Sequence, residues 1–157
     1  MSDLAVILIV EDREDDILLI RRAFEAAELH NPVHAVRTGE EAVAYLAGAG
    51  KYSDRAEHPL PDLILLDLKM PGMDGFDVLR WIRAQEGIRG IPVIVLTSSN
   101  LIRDVNKAYE LGANSFLVKE FDFVNFVEVS KLLKRYWLNI ARRPESHRPN
   151  RKTNGHC

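Results

Sequence analysis

The sequence predicts an α/β fold in which a doubly wound, five-stranded parallel sheet carries helices on both faces. Five apolar segments of strand length, at residues 4–10, 32–36, 63–66, 92–96 and 115–118, alternate with helical patterns. Strands this apolar are typical of parallel sheets whose two faces are both covered. The strict alternation of strand and helix favours the same arrangement.

The helices are predicted from their spacing and their start signals. The first begins near Glu14 and repeats apolar residues at helical intervals: Ile17, Ile20, Phe24 and Ala27. After the second strand, Thr38 precedes Glu41 by three residues, a capping-box pattern that starts a short helix. Residues 48–59 are polar and are predicted to form a loop. Three further helices are predicted over residues 74–85, 101–111 and 123–140.

Bulk composition indicates one ordinary domain. The chain has 157 residues, a net charge of −2 and one cysteine, Cys157. A single cysteine cannot form an internal disulfide. A net charge this small favours neither nucleic acid nor a membrane as a direct partner. No apolar run approaches the roughly 20 residues of a membrane span. We expect a cytoplasmic protein with one domain over residues 1–141 and a flexible basic tail over residues 142–157.

Polar side chains follow four of the five predicted strands. They are Glu11 and Asp12 after the first strand, Asp67 after the third, Thr97 and Ser98 after the fourth, and Lys119 after the fifth. Functional groups of such sheets gather beyond the carboxyl ends of the strands. We therefore expect these side chains to converge.

Three converging carboxylates repel one another unless a cation lies among them. Oxygen ligands suit Mg²⁺, which takes one or two protein carboxylates and leaves positions for a phosphate. A carboxylate can itself attack phosphorus and form an aspartyl phosphate. A lysine and a hydroxyl nearby can bind the other oxygens of the transferring group. The predicted chemistry is phosphoryl transfer.

Together these residues identify a family resemblance. The pair Glu11-Asp12, the run MPGMDG shortly after Asp67, Thr97-Ser98 and Lys119 occur in the order found in the receiver domain of bacterial two-component response regulators. The chain resembles that domain over about residues 4–138. The resemblance implies a flavodoxin-like sheet with strand order 2-1-3-4-5.

The resemblance also implies a role for each matching residue. Asp67 is the expected phosphoacceptor, with Thr97 and Lys119 binding the phosphoryl group. The expected Mg²⁺ ligands are Glu11, Asp12, Asp67 and the backbone carbonyl of Lys69. Phe116 and Thr97 match the positions of the conformational switch. Glu11 stands where the family usually has aspartate, and Glu120 stands where a proline commonly follows the lysine.

A narrower resemblance concerns the long polar loop before Pro61 and the aromatic final helix. Both features are similar to those of single-domain regulators that partner bacterial and cyanobacterial phytochromes. The implied partners are a sensor histidine kinase, specifically a phytochrome, and a downstream protein target or phosphorelay member.

The final helix carries a broad apolar stripe. At 100° per residue, its apolar residues cover roughly 140°, more than the roughly 100° that one sheet face requires. They are Phe126, Val129, Leu132, Leu133, Tyr136, Trp137 and Ile140. A broad core contact with scattered exposed residues accounts for this, and so does a two-fold dimer through Leu132, Tyr136 and Trp137. We favour the dimer.

Two other functions remain open from the residues. One is a phosphohydrolase with an aspartyl phosphate intermediate, resembling the haloacid dehalogenase family. That family has a second aspartate two residues after the nucleophile, whereas Asp12 is followed by Arg13 and Glu14. The other is a receiver-like interaction module that works without phosphate, against which the presence of Asp67, Thr97 and Lys119 argues.

Overall fold

The computed structural model describes residues 4–119 and 122–140. The strands are β1 Ile7–Val10, β2 Val33–Val36, β3 Leu63–Leu66, β4 Val93–Thr97 and β5 Ser115–Val118. The helices are α1 Glu14–Ala26, α2 Gly39–Ala47, α3 Gly75–Ala84, α4 Ile102–Glu110 and α5 Phe123–Leu133. A π-helical segment, Lys134–Ile140, continues α5.

The sheet confirms the predicted fold. Its strands are all parallel and lie in the order β2-β1-β3-β4-β5. Successive residues of β1 point to opposite faces: Leu8 and Val10 join the core packed against α2, α3 and α4, whereas Ile7 and Ile9 join the core packed against α1 and α5. Both faces are therefore covered, which accounts for the unbroken apolar strands.

Several boundaries differ slightly from prediction. β1 begins at Ile7 rather than at residue 4, and just before it the Val6 N–H donates to Asp62 Oδ2 at 2.8 Å. β4 runs one residue further than expected, so Thr97 is the last residue of the strand and is fully buried.

The predicted capping box at the start of α2 is only half right. The Glu41 N–H donates to Thr38 Oγ1 at 2.9 Å as expected, but Glu41 Oε1 accepts from the Arg37 N–H at 3.0 Å. A reciprocal capping box does form at α3, where Asp74 and Asp77 each accept from the other's backbone N–H.

The polar segment after α2 is more ordered than a loop. It contains a 3₁₀ turn, Gly50–Tyr52, and is held by the guanidinium of Arg55. Arg55 donates to the carbonyls of Tyr45, Leu46 and His58 at 2.8, 2.9 and 3.1 Å. The first two are carbonyls of the last turn of α2, which have no hydrogen-bond donor within the helix. The rings of Tyr45, Tyr52 and His58 pack with centroids 5.0–5.8 Å apart. Composition predicted the loop but not these contacts.

The last helix departs from the prediction of one regular α-helix over residues 123–140. The change to π geometry after Leu133 alters the angle per residue, so the stripe drawn at 100° does not extend past that point. Leu132 and Tyr136 are exposed, at 66% and 55%, whereas Trp137 is half-buried against the α1–α5 core. Of the proposed dimer surface, two residues face outward and one packs largely inward.

Some predictions lie outside the described residues. The tail over residues 142–157, the domain boundary at residue 141 and the position of Glu120 are among them. Across the described part of the chain, no helix is both long and apolar enough to cross a membrane.

Candidate functional site

Three strand ends bring opposite charges together at one edge of the sheet. Lys119 Nζ contacts Glu11 Oε1 directly and lies 3.5 Å from Asp67 Oδ2. All three side chains are buried, with at most 6% of each exposed. The convergence expected from the sequence is therefore observed for these three residues.

Strand register produces this convergence. Val10 of β1 pairs with Leu66 of β3, so Glu11 and Asp67 follow on adjacent strands at the same level. The Asp67 N–H donates to the Val10 carbonyl at 3.0 Å, which fixes the backbone of the aspartate. The Lys119 N–H likewise donates to the Thr97 carbonyl at 2.7 Å.

Glycine allows the chain to fold back directly after Asp67. The first residue of α3, Gly75, approaches β3 so closely that a Cβ there would lie 2.2 Å from the Asp67 carbonyl oxygen. The Gly75 N–H donates to the Leu68 carbonyl at 3.1 Å. Any larger residue at this position would displace the backbone that carries the aspartate.

The carboxylates form a cluster that suits a hard cation. Glu11, Asp12 and Asp67 each offer an oxygen, and these oxygens lie within 4.8 Å of one another. Glu11 and Asp67 are buried and Asp12 is half-buried. An all-oxygen set of carboxylates fits Mg²⁺ or a similar divalent ion.

Burial and the neighbouring charges together set the pKa values of Glu11 and Lys119. Burial raises the pKa of the Glu11 carboxyl from 4.5 to about 7, and the charge of Asp67 adds to the rise, while the hydrogen bond from Lys119 opposes it. For Lys119, burial lowers the pKa, but the hydrogen bond to Glu11 and the charge of Asp67 outweigh it and raise the pKa above its ordinary value. Lys119 is therefore a cation, and the Glu11 carboxyl binds a proton at a higher pH than an exposed glutamate does.

The two predicted switch residues lie on the adjacent strands β4 and β5. Thr97 Oγ1 accepts from the Ser99 N–H at 3.5 Å. Phe116 is half-buried and packs against the core on the α2–α4 side of the sheet. In β5 it pairs with Val95, two residues before Thr97 in β4. The structure therefore places both residues on neighbouring strands.

Lys69 takes part in a second charged group that the sequence did not predict. Its N–H donates to Asp67 Oδ1 at 3.3 Å, and its ammonium lies 3.3 Å from Asp104 Oδ2. The Ser99 hydroxyl donates to the same oxygen of Asp104 at 2.5 Å. Asp104 thus links the start of α4 to the segment after Asp67.

Another residue missed in the sequence is Asp16, whose Oδ2 lies 3.0 Å from Lys119 Nζ. It belongs to the acidic first turn of α1 together with Glu14 and Asp15. Acidic residues favour the positive end of any helix, so composition offered no reason to single out Asp16. Its position four residues after Asp12 was the only available signal.

Comparison with known protein families identifies the family of this chain. The model of the response regulator receiver domain matches residues 7–131, which span all five strands and nearly all of α5. The chain belongs to this family. The predicted fold and the resemblance from which the site roles were taken are both confirmed.

Relatives of this receiver domain include proteins of similar length. The probable methanogenesis regulatory protein FilR2 of Methanothrix harundinacea is 37% identical over 91% of this chain and 90% of its own. Response regulator Rcp1 of Synechocystis is 34% identical over 88% of this chain and 92% of its own.

Solved structures show the same fold, and one of them is a phytochrome response regulator. The phosphorylated cyanobacterial phytochrome response regulator RcpA is 35% identical, covers 90% of this chain and 99% of its own, and has a TM-score of 0.83. The Mn²⁺-bound form of Rcp1 is 33% identical with the same coverage and a TM-score of 0.80. The predicted likeness to phytochrome-associated regulators is therefore confirmed.

Proposed function

We propose that this receiver domain accepts a phosphoryl group from a sensor histidine kinase on Asp67, with Mg²⁺, and signals through protein–protein contacts. The observation that carries the proposal is the buried carboxylate of Asp67 between the ammonium of Lys119 and the carboxylates of Glu11 and Asp12. Apart from its own phosphorylation and dephosphorylation, the domain would catalyse no reaction.

In the proposed transfer, an oxygen of Asp67 attacks the phosphorus of a phosphohistidine. The P–N bond breaks, its electron pair stays on the imidazole nitrogen, and that nitrogen takes up a proton, leaving an acyl phosphate on Asp67. Lys119 balances the charge of the phosphoryl oxygens. Glu11, Asp12, Asp67 and the carbonyl of Lys69 would hold Mg²⁺, which when bound neutralises charge on the transferring group.

The proposed response begins at Thr97. A new anion on Asp67 draws the Thr97 hydroxyl toward it, and Phe116 on the neighbouring strand moves into the space that this vacates. The surface formed by α4, β5 and α5 changes as a result. Its exposed apolar residues include Ile102 and Tyr109 on α4 and Val118 on β5.

The kinase is proposed to be a phytochrome. The support is the similarity to RcpA and Rcp1, together with the long ordered segment after α2 and the aromatic residues near the end of α5. Kinases of this kind draw phosphate from ATP, so the reaction is placed in the cytoplasm. The downstream partner would be a protein target or a phosphorelay member.

A second copy of the chain is proposed to cover the outer face of α5. Leu132 and Tyr136 line an apolar groove beside the edge strand β5 together with Leu117, Val129 and Trp137. The rings of Tyr136 and Trp137 meet edge-on with their centroids 5.2 Å apart. A contiguous apolar patch next to a sheet edge fits a two-fold interface. Sizing should show a dimer that Leu132→Glu breaks and Leu18→Glu, at an exposed leucine of α1, does not. A wild type that stays monomeric at high concentration removes the dimer from the proposal.

Phosphorylation is tested with Mg²⁺ and acetyl phosphate, followed by intact mass. We expect one acid-stable, base-labile phosphoryl group, absent from Asp67→Asn and formed more slowly by Asp12→Asn. An adduct that persists in Asp67→Asn would contradict the assignment. No adduct in any variant would favour an interaction module that works without phosphate, and steady hydrolysis of unrelated phosphomonoesters would favour a phosphohydrolase.

A further inference from the structure

We infer that Asp16 is a positioning residue for Lys119, holding its ammonium at the phosphoacceptor from the side of α1. The inference deepens the proposed function and rests on it. Asp16 is neither the phosphoacceptor nor part of the carboxylate cluster that suits a metal ion. Among the described residues, Asp16 Oδ2 pairs with Lys119 Nζ at 3.0 Å and with Arg13 Nε at 3.6 Å, so its link to the phosphoacceptor runs through the lysine.

The geometry gives Lys119 three carboxylate partners at once. Its Nζ contacts Glu11 Oε1, lies 3.0 Å from Asp16 Oδ2 and lies 3.5 Å from Asp67 Oδ2. Of the three N–H groups of the ammonium, one donates to Glu11 and one to Asp16, whereas Asp67 lies at ion-pair distance. The partners come from the end of β1, the first turn of α1 and the end of β3.

These partners have different fates when the site works. Glu11 is proposed to turn to the metal, and Asp67 is proposed to become an acyl phosphate with its own new oxygens. Asp16 is then the carboxylate that still holds the ammonium. One N–H stays on Asp16, and the N–H released by Glu11 is free to point at the phosphoryl group.

Holding the ammonium matters because lysine is flexible. A free lysine side chain samples many rotamers, and ordering it costs up to about 2 kcal/mol of conformational entropy. A charged hydrogen bond to a side chain on a well-packed helix lowers this cost. The position of Asp16 is fixed because Ile17 and Ile20 of the same helix are buried in the core.

A matched control lies next to it. Asp15 is in the same helical turn and carries the same charge, but it is exposed and the structure shows no bond from it to Lys119. Replacing either aspartate with asparagine removes one charge from the start of α1. Only Asp16→Asn removes a partner of the lysine.

The first measurement is the rate of phosphorylation by acetyl phosphate with Mg²⁺. We expect Asp16→Asn to react about five- to tenfold more slowly than wild type, Asp15→Asn to react normally, and Asp16→Glu to recover most of the rate. In a Lys119→Gln background, Asp16→Asn should cause no further loss. An equal further loss in that background would overturn the inference, because Asp16 would then act other than through Lys119.

The second measurement needs neither metal nor phosphate. Limiting acetic anhydride labels lysines by their accessibility and nucleophilicity, and peptide mass spectrometry compares Lys119 with the exposed Lys51 of the same molecule. We expect labelling of Lys119 to rise several-fold in Asp16→Asn and to stay unchanged in Asp15→Asn. Unchanged labelling together with an unchanged phosphorylation rate overturns the inference. A wild type that takes up no phosphoryl group overturns the proposed function instead, and the labelling then decides by itself whether Asp16 holds the lysine.

Discussion

The raised pKa of Glu11 makes a prediction about stability and pH. Without metal, the folded protein holds a proton on Glu11 up to about pH 7, whereas the unfolded chain releases it near 4.5. Between these values the folded state binds more protons than the unfolded state, so the free energy of unfolding falls as the pH rises. The stabilising contribution is complete below pH 4.5 and is lost as the pH passes about 7.

The size of this effect follows from the two pKa values. A change from 4.5 to about 7 in one carboxyl corresponds to a contribution of about 3 kcal/mol between the two ends of the pH range. Glu11→Gln keeps the side-chain length and removes this titration. Over pH 5 to 8, the variant should therefore lose less unfolding free energy than the wild type, by up to about 3 kcal/mol.

The assay is urea unfolding in EDTA, followed by tryptophan fluorescence at several pH values. Glu86→Gln, at an exposed carboxylate after α3, is the control and should follow the wild type. Mg²⁺ and the proton compete for the Glu11 carboxylate. The affinity for Mg²⁺ should therefore fall by up to about tenfold for each pH unit below 7. Parallel pH curves for wild type and Glu11→Gln would refute the reasoning.

Three further predictions concern residues around the site. In Gly75→Ala the added Cβ displaces the Asp67 carbonyl. The variant should therefore lose about 1–3 kcal/mol of unfolding free energy in the urea assay and be phosphorylated more slowly by acetyl phosphate. A normal rate of phosphorylation would contradict this. Arg83→Met should lower the unfolding free energy by about 2–4 kcal/mol in the same urea assay and leave the phosphorylation rate unchanged. The reason is that the half-buried guanidinium donates to the carbonyls of Arg89, Ile91 and Gly112, the last at 2.7 Å. The hydrogen bond from Ser99 lowers the pKa of Asp104, and Lys69 contributes, so Asp104→Asn should reduce stability at pH 7. That deficit should shrink as the pH falls below 3.8 and the wild-type carboxyl becomes protonated, and a deficit that persists in acid would show that the charge is not its source.

The sheet was predictable because each strand carries its own signal. Runs such as Ile7–Val10 are apolar on every residue, and only strands covered on both faces need that pattern. Once the strands are parallel, polar residues that follow them must meet at one edge. Asp67 and Lys119 could therefore be assigned to one site although 52 positions separate them in the numbering.

Side-chain partners were not predictable in the same way. Asp104 looks like any acidic residue in the first turn of a helix, yet it bridges Ser99 and Lys69. The apolar stripe of the last helix was drawn at a constant 100° per residue. No local sequence signal predicted the change to π geometry after Leu133. Trp137 consequently packs further inward than the projection indicated.

The sequence by itself determined the fold class, because local apolar patterns are sufficient for it. It also determined the carboxylates and the lysine of the site through their order along the chain. The strand order followed from the family that the sequence resembles. Only the tertiary structure decided which carboxylates share Lys119, that Thr97 is buried inside β4, and that Asp16 reaches the site. Those outcomes depend on distances between side chains from different elements. Such distances are fixed by packing of the whole core and are not determined by the spacing of residues along the chain.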